Sequence, residues 1–359
     1  MSSKQRAADL LSALILLRRF NPIRQLSVSP ISTCLRALCF SGLLTAALIL
    51  LTAHSALLIV PAQTPEPEDT VRIDTDLVNL NVSIASRNAS STSLKLEQRD
   101  FAIFENGVPQ EISFFASSDA PFDLVLLLDL SGSTSDKIGL IRKSARRFVD
   151  AARPADRIAI FTFADEIQVV SKLTADHKAL RKSIEYIDKP SGGTSFWDAL
   201  RFVLEHVAGQ SRAESRRSAV VVMTDGIDNA LPDVYGDGST TSFEDLLKIV
   251  QRWDTIVLPI YLDTEKEMDR HGTLKVAYAM ARRQLALLAA ESGNEIYRAR
   301  KLKDLEGVYE KVIRDLSMVY SIGYRPANHV RDGSWRTVKI ELAGHPDLAV
   351  RAKRGYYGK

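Results

Sequence analysis

The chain reads as an α/β protein. Its centre is a doubly wound, mostly parallel sheet with helices on both faces, flanked by a small antiparallel β unit that its N- and C-terminal segments build together. Three observations carry that reading. The runs Phe122–Leu128 (apolar but for Asp123) and Ala219–Met223 fit strands buried on both faces. From Asp123 to about Ile313, helical periodicities alternate with strand-like runs, the pattern of βαβ units. Outside that region, 71–118 and 317–359 show alternation and turn signals of the β type.

In chain order, residues 1–62 form a basic leader. Its stretch 37–60 has no charged residue and is long enough to span a bilayer. It predicts a transmembrane anchor or a cleaved signal peptide, and either one places the rest outside the cytoplasm. The anchor would hold the chain in the membrane; cleavage would leave it periplasmic or secreted. Residues 63–70 are a proline- and acid-rich linker. Val78, Leu80, Val82 and Ile84 then alternate with smaller or polar neighbours, a half-buried strand. Phe101–Phe104, Glu105-Asn106-Gly107 and Ile112–Phe115 read as a hairpin about an Asn-Gly turn. Asn81 and Asn88 match the glycosylation pattern, with little weight for Asn81 because it falls in a strand.

In the domain expected over 122–316, Ile138 to Ala152 has helical spacing and Pro154 stops it. Arg157–Phe163 and Ile167–Leu173 are paired strands. Leu180, Ile184 and Ile187 line one helix, and Ala199 to Val207 another. Leu246 to Trp253 is a helix leading into the strand Thr255–Leu262, and the charged segment Asp263–Arg270 reads as loop. A helix through Leu285 and Leu288, a short strand at Glu295–Tyr297 and a helix through Leu305–Leu316 complete it. The tail returns to strands at Val319–Tyr324, Trp335–Leu342 and Leu348–Lys353. Three strands alone are marginal, so the tail is expected to pack with 71–118 into one small sandwich around the inserted α/β domain.

Charge and cysteine narrow the function. The formal net charge is +3, yet residues 1–62 hold six basic residues against Asp9, leaving 41 basic and 43 acidic residues for the remainder. The basic balance belongs to the leader, and nothing indicates nucleic-acid binding. Both cysteines, Cys34 and Cys39, lie in the leader too. The rest therefore has no disulfide framework, no thiolate zinc site and no cysteine nucleophile.

Each buried run ends on an acid, where open α/β sheets place their ligands. Asp129, Ser131 and Ser133 follow the first as Asp-x-Ser-x-Ser, three hard oxygen donors suited to Mg²⁺ or Mn²⁺. Asp225 follows the second in Thr224-Asp225-Gly226. Thr194 sits between them in Ser191-Gly192-Gly193-Thr194-Ser195. Singly these residues read as helix caps or turn formers. Jointly, in this order, they favour a metal.

This arrangement resembles the von Willebrand factor type A domain over about Phe122–Leu316. The family's metal-ion-dependent adhesion site uses Asp-x-Ser-x-Ser, a later threonine and a later aspartate, and all five positions are met. The resemblance implies that Ser131, Ser133 and Thr194 bind Mg²⁺ or Mn²⁺ directly and that Asp129 and Asp225 do so directly or through water. It also implies that an acidic side chain of a protein partner completes the shell. The flanks, Asp76–Asn79, Asn106–Gln110, Tyr320–Tyr324 and Arg354–Tyr357, are similar to an exported bacterial subgroup of such proteins. Asp198 fits a second-layer or helix-capping acid, and Asp228 and Asp263 are near the site only by their strand ends. The six histidines lack ligand spacing. No nucleophile elbow, phosphate loop or dinucleotide fingerprint is present, so no enzyme is expected. The alternatives are a metal-assisted hydrolase or phosphotransferase using Asp129, or a structural envelope protein with a vestigial site.

Overall fold

The computed structural model describes residues 77–86, 95–134, 138–189, 191–213, 216–269 and 271–358. The leader, its apolar stretch 37–60, the linker and Asn88 lie outside the described residues. Among the described residues no helix is long and apolar enough to cross a membrane.

Val78–Ser86 forms β1 and buries Leu80, Val82 and Ile84 on one face, as the alternation requires. Asn81 turns its amide nitrogen to the Asp254 carbonyl instead of to water. Phe101–Glu105 (β2) passes through Asn106 and Gly107, at φ 49° and 82°, into Val108–Gln110 (β3). Two successive positive φ values are what a type I′ hairpin turn needs, and Asn-Gly supplies them at low steric cost. The expected pairing of 101–104 with 112–115 is not formed. Ile112–Ala116 (β4) leaves for a second sheet, and Phe115 faces Phe101 across the gap with ring centroids 5.7 Å apart. Two aromatic strands bury more surface as opposite walls of a core than as neighbours in one sheet.

The α/β part runs through Phe122–Asp129 (β5), Ile138–Ala151 (α1), Arg157–Phe163 (β6), Ile167–Thr174 (β7), His177–Glu185 (α2) and Phe196–Val203 (α3). It continues through Arg217–Thr224 (β8), Phe243–Arg252 (α4), Ile256–Leu262 (β9), Glu265–Met268 (α5), Lys275–Glu291 (α6), Tyr297–Ala299 (β10) and Leu305–Leu316 (α7). The order across the sheet is β10-β9-β8-β5-β6-β7, parallel except for the edge strand β7. Every residue of β5, β8 and β9 is buried. Leu124, Leu126 and Leu128 point into a core shared with α1 and α7; Val125 and Leu127 point into another shared with α3, α4 and α6. Burying each such side chain contributes about 1.5–3 kcal/mol, which holds the central strands in place. One expectation needs correction: Glu265–Met268 is a short helix, not loop.

Val319–Tyr324 (β11), Trp335–Leu342 (β12), Leu348–Arg351 (β13) and Gly355–Tyr357 (β14) close the chain. They interleave with the first strands in two antiparallel sheets, β13-β1-β11-β4 and β14-β12-β2-β3. The N- and C-terminal segments thus build one sandwich around Leu80, Val82, Ile103, Tyr320 and Ile322, and the α/β part is inserted between its halves. A buried polar knot ties the two halves. Tyr324 and Tyr356 each donate a 2.7 Å hydrogen bond to Glu105 Oε2, and Arg336 Nη1 lies 3.4 Å from Oε1.

Candidate functional site

Strand β5 carries a carboxylate near each end, and the two have opposite surroundings. At the start, Asp123 is fully buried but receives Arg157 through two bonds of 2.8 and 2.7 Å and Arg216 through one of 2.7 Å. Burial alone would push its pKa up; the hydrogen bonds from the two guanidiniums outweigh that and leave it lowered. At the far end, Asp129 is also fully buried, and Asp225 is 4% exposed. Among the described residues no lysine or arginine pairs with either. Burial, and then the charge of Asp225, hold Asp129 well above the usual carboxylate range; burial raises Asp225 as well.

The Asp-x-Ser-x-Ser turn folds on its own side chains. Asp129 Oδ1 accepts from Ser131 N at 2.9 Å, and the Ser131 and Ser133 hydroxyls lie 3.2 Å apart. Thr134 Oγ1 donates to the Ser131 carbonyl at 3.0 Å, which closes the turn. Asp129 Oδ2 accepts a 2.6 Å bond from Thr224 Oγ1 on the neighbouring strand β8. Asp225 Oδ1 accepts from Ile227 N at 3.1 Å, its Oδ2 accepts from Thr264 Oγ1 at 2.7 Å, and Ser133 also hydrogen-bonds to it. Thr264 Oγ1 in turn lies 3.0 Å from the Tyr278 hydroxyl on α6. Asp129, Ser131, Ser133 and Asp225 therefore interact with one another directly.

Thr194 is buried and joins them through its main chain. Its N–H donates to Asn229 Oδ1 at 3.1 Å and its carbonyl accepts from Asn229 N at 3.0 Å, so the Asp225 loop grips it. Gly132 N donates to the Gly192 carbonyl at 3.2 Å, and Ser191 N donates to the Leu130 carbonyl at 2.8 Å, which ties the same loop to the Asp129 turn. Gly192 sits at φ +90°, and a side chain there would collide with the Asp165 carboxylate, whose Oδ1 accepts from Gly193 N at 2.8 Å. Gly192→Ala is accordingly expected to cost about 1–3 kcal/mol, read as a lower urea midpoint.

The other candidate acids turn away from this cluster. Asp198 accepts from Thr240 N at 2.8 Å and Thr241 N at 2.9 Å, fastening the loop before α4. Asp228 is fully buried and saturated by Trp197 N, Ala230 N, Ser239 N and Ser239 Oγ. Asp263 is exposed, and the next residue, Thr264, makes the contact. Thr224 and Thr264 are the residues bonded to the two carboxylates that the motif did not reveal. Thr224 had a signal, being the residue before Asp225 on a buried strand; Thr264 had only its place at the end of β9.

Two buried carboxylates and several hydroxyls gather at the carboxyl edge of a parallel sheet, and with that sheet they define a class: an open α/β domain with an oxygen-lined cluster where such domains place ligands. No three His, Cys, Asp or Glu side chains gather to hold a metal among the described residues, so any ion here depends on the hydroxyls. Residues 123–252 match the model of the von Willebrand factor type A domain. Among solved structures, the chain is similar to proximal thread matrix protein 1 from the mussel byssus, at 14% identity and TM-score 0.40. That match covers 56% of this chain and spans only about half, 49%, of the mussel chain. The von Willebrand factor domain of the type V pili tip protein Mfa5 from Porphyromonas gingivalis is 14% identical, TM-score 0.39, over 54% of this chain and 94% of that one. An aerotolerance-related membrane protein from Bacteroides fragilis is 15% identical, TM-score 0.38, over 54% and 98%.

Proposed function

We propose that this is an exported, metal-dependent protein-binding module. Mg²⁺ or Mn²⁺ would be held by Ser131, Ser133, Thr194, Asp129 and Asp225, and an acidic side chain of a protein partner would complete its shell. The observation that supports this reading most is the contrast along β5. The fold neutralises Asp123 with two arginines, yet among the described residues it brings no lysine or arginine to Asp129 and Asp225, which are buried beside each other. Like-charged buried carboxylates are costly unless something positive joins them. A bound divalent ion would supply that charge and, keeping part of its water shell, an exchangeable position for a foreign carboxylate.

The chain's own residues divide that work. Thr224 and Thr264 orient the two carboxylates, and Asn229 holds the Thr194 loop against the Asp225 loop. Export rests on the basic leader and the apolar stretch 37–60.

The test is capture of a binding partner by the full chain in Mn²⁺ against EDTA, repeated with Asp129→Asn. The expected result is a partner retained only by the unmodified chain with metal. Retention that ignores both EDTA and the substitution would count against the proposal.

A further inference from the structure

Helices α1, α2 and α7 cover one face of the central sheet, and the outer surface of that layer is unevenly charged. Helix α1 and residues 177–189, which include α2, together carry eight basic residues against three acidic ones. Everything else beyond residue 62 carries 33 basic and 40 acidic residues. The excess of positive charge is therefore local to these two helices.

Pairing absorbs only part of it. Glu306 of α7 is shared between Lys143 at 3.2 Å and Arg147 at 2.8 Å. Asp150 engages Arg181 at 2.7 Å, with both side chains more than 40% exposed, and exposed pairs of this kind hold weakly. Arg146, Lys178, Lys182 and Lys189 have no acidic partner among the described residues, and the three lysines are exposed. Two apolar side chains edge the same surface. Arg142 Nε donates to the Ile187 carbonyl at 3.1 Å, which brings the start of α1 against the end of α2. There Leu140 is 41% and Tyr186 72% exposed.

A basic helical surface edged by an exposed tyrosine suits an anionic bilayer. Lysine and arginine meet the headgroup charge, and the amphipathic ring sits at headgroup level. The sequence favours a membrane over an acidic protein as the occupant. Residues 61–76 separate the apolar stretch from Leu77, and these sixteen residues reach about 55 Å at full extension. With 37–60 held in a bilayer, the lipid surface stays within that reach, and a tethered face needs little intrinsic affinity to dock.

We propose that α1 and α2 lay the α/β part on the anionic surface of the membrane that holds the leader, through Arg146, Lys178, Lys182 and Lys189, with Tyr186 at headgroup level. This rests on the reading of 37–60 as a retained anchor and not on the cation cluster.

The test is amine acetylation of the full chain in EDTA, read lysine by lysine by mass spectrometry. The chain is reconstituted with vesicles of phosphatidylcholine, alone or with about one third phosphatidylglycerol. Lys178, Lys182 and Lys189 are expected to react roughly threefold more slowly on the anionic vesicles, where they meet the headgroups. Lys248, on α4 in the opposite helical layer, should react alike on both. Salt at about 1 M, where the Debye length falls to about 3 Å, should abolish the difference. Lys178→Glu/Lys182→Glu, at two exposed positions, should return Lys189 to its rate on phosphatidylcholine, and Asp129→Asn should change nothing. Flotation of the same mixtures reports the anchor separately. A chain that floats only with anionic vesicles would keep the docking face and refute the anchor. A chain that floats with neither vesicle, or whose face is labelled alike on both, would overturn the proposal, as would equal slowing of Lys248.

Discussion

Asp123→Asn is expected to destabilise the fold by about 3 kcal/mol, seen as a lower urea midpoint at unchanged slope. The substitution removes the charge on which Arg157 and Arg216 converge. Breaking a buried pair costs about 3–5 kcal/mol. The lower end applies because the two arginine side chains, 26% and 23% exposed, can partly rehydrate. The sign of the pH dependence follows. Asp123 has a lowered pKa in the folded chain, so its contribution is complete above the unfolded carboxyl value of about 3.9 and is lost as pH falls through the native value. The gap between wild type and variant should therefore narrow in acid below about pH 4.

The same substitution six residues along the strand should behave in the opposite way. Without metal, Asp129→Asn is expected to leave stability no lower, and to raise it by on the order of 1 kcal/mol at neutral pH, because it removes a charge that burial, and then Asp225, disfavours. An amide fits the site: its oxygen can accept from Ser131 N, and its NH₂ can turn to Thr224 Oγ1. With metal the order reverses. The wild type gains about 2.7 kcal/mol at a hundred times the dissociation constant, and the variant gains little. A substitution that helps the empty fold and harms the loaded one is the signature of a residue kept for binding, not for folding.

Much of this fold is legible in the sequence. Phe122–Leu128 and Ala219–Met223 could only be interior strands, and the order Asp129, Thr194, Asp225 placed three loops at one edge. The interleaved sandwich was legible as a need, since neither short β segment could bury its apolar face alone. The destination of Ile112–Phe115 was hidden, because alternation states which face a strand buries but not which neighbour it bonds. Tyr356 and Arg336 share the Glu105 carboxylate across more than 200 residues of chain, a contact that no local pattern encodes. Thr264 was hidden for the same reason: a lone threonine at a strand end looks alike whether it bonds to a buried carboxylate or to water. The arginines around Asp123 were legible as charge but not as position.

The most direct test is thermal unfolding of the full chain in EDTA and in millimolar Mg²⁺ or Mn²⁺, beside Asp129→Asn under the same conditions. The cation account predicts a melting temperature raised by several degrees with either ion in the wild type, and no such rise in the variant. Identical curves with and without metal would contradict it, as would an equal rise in both proteins.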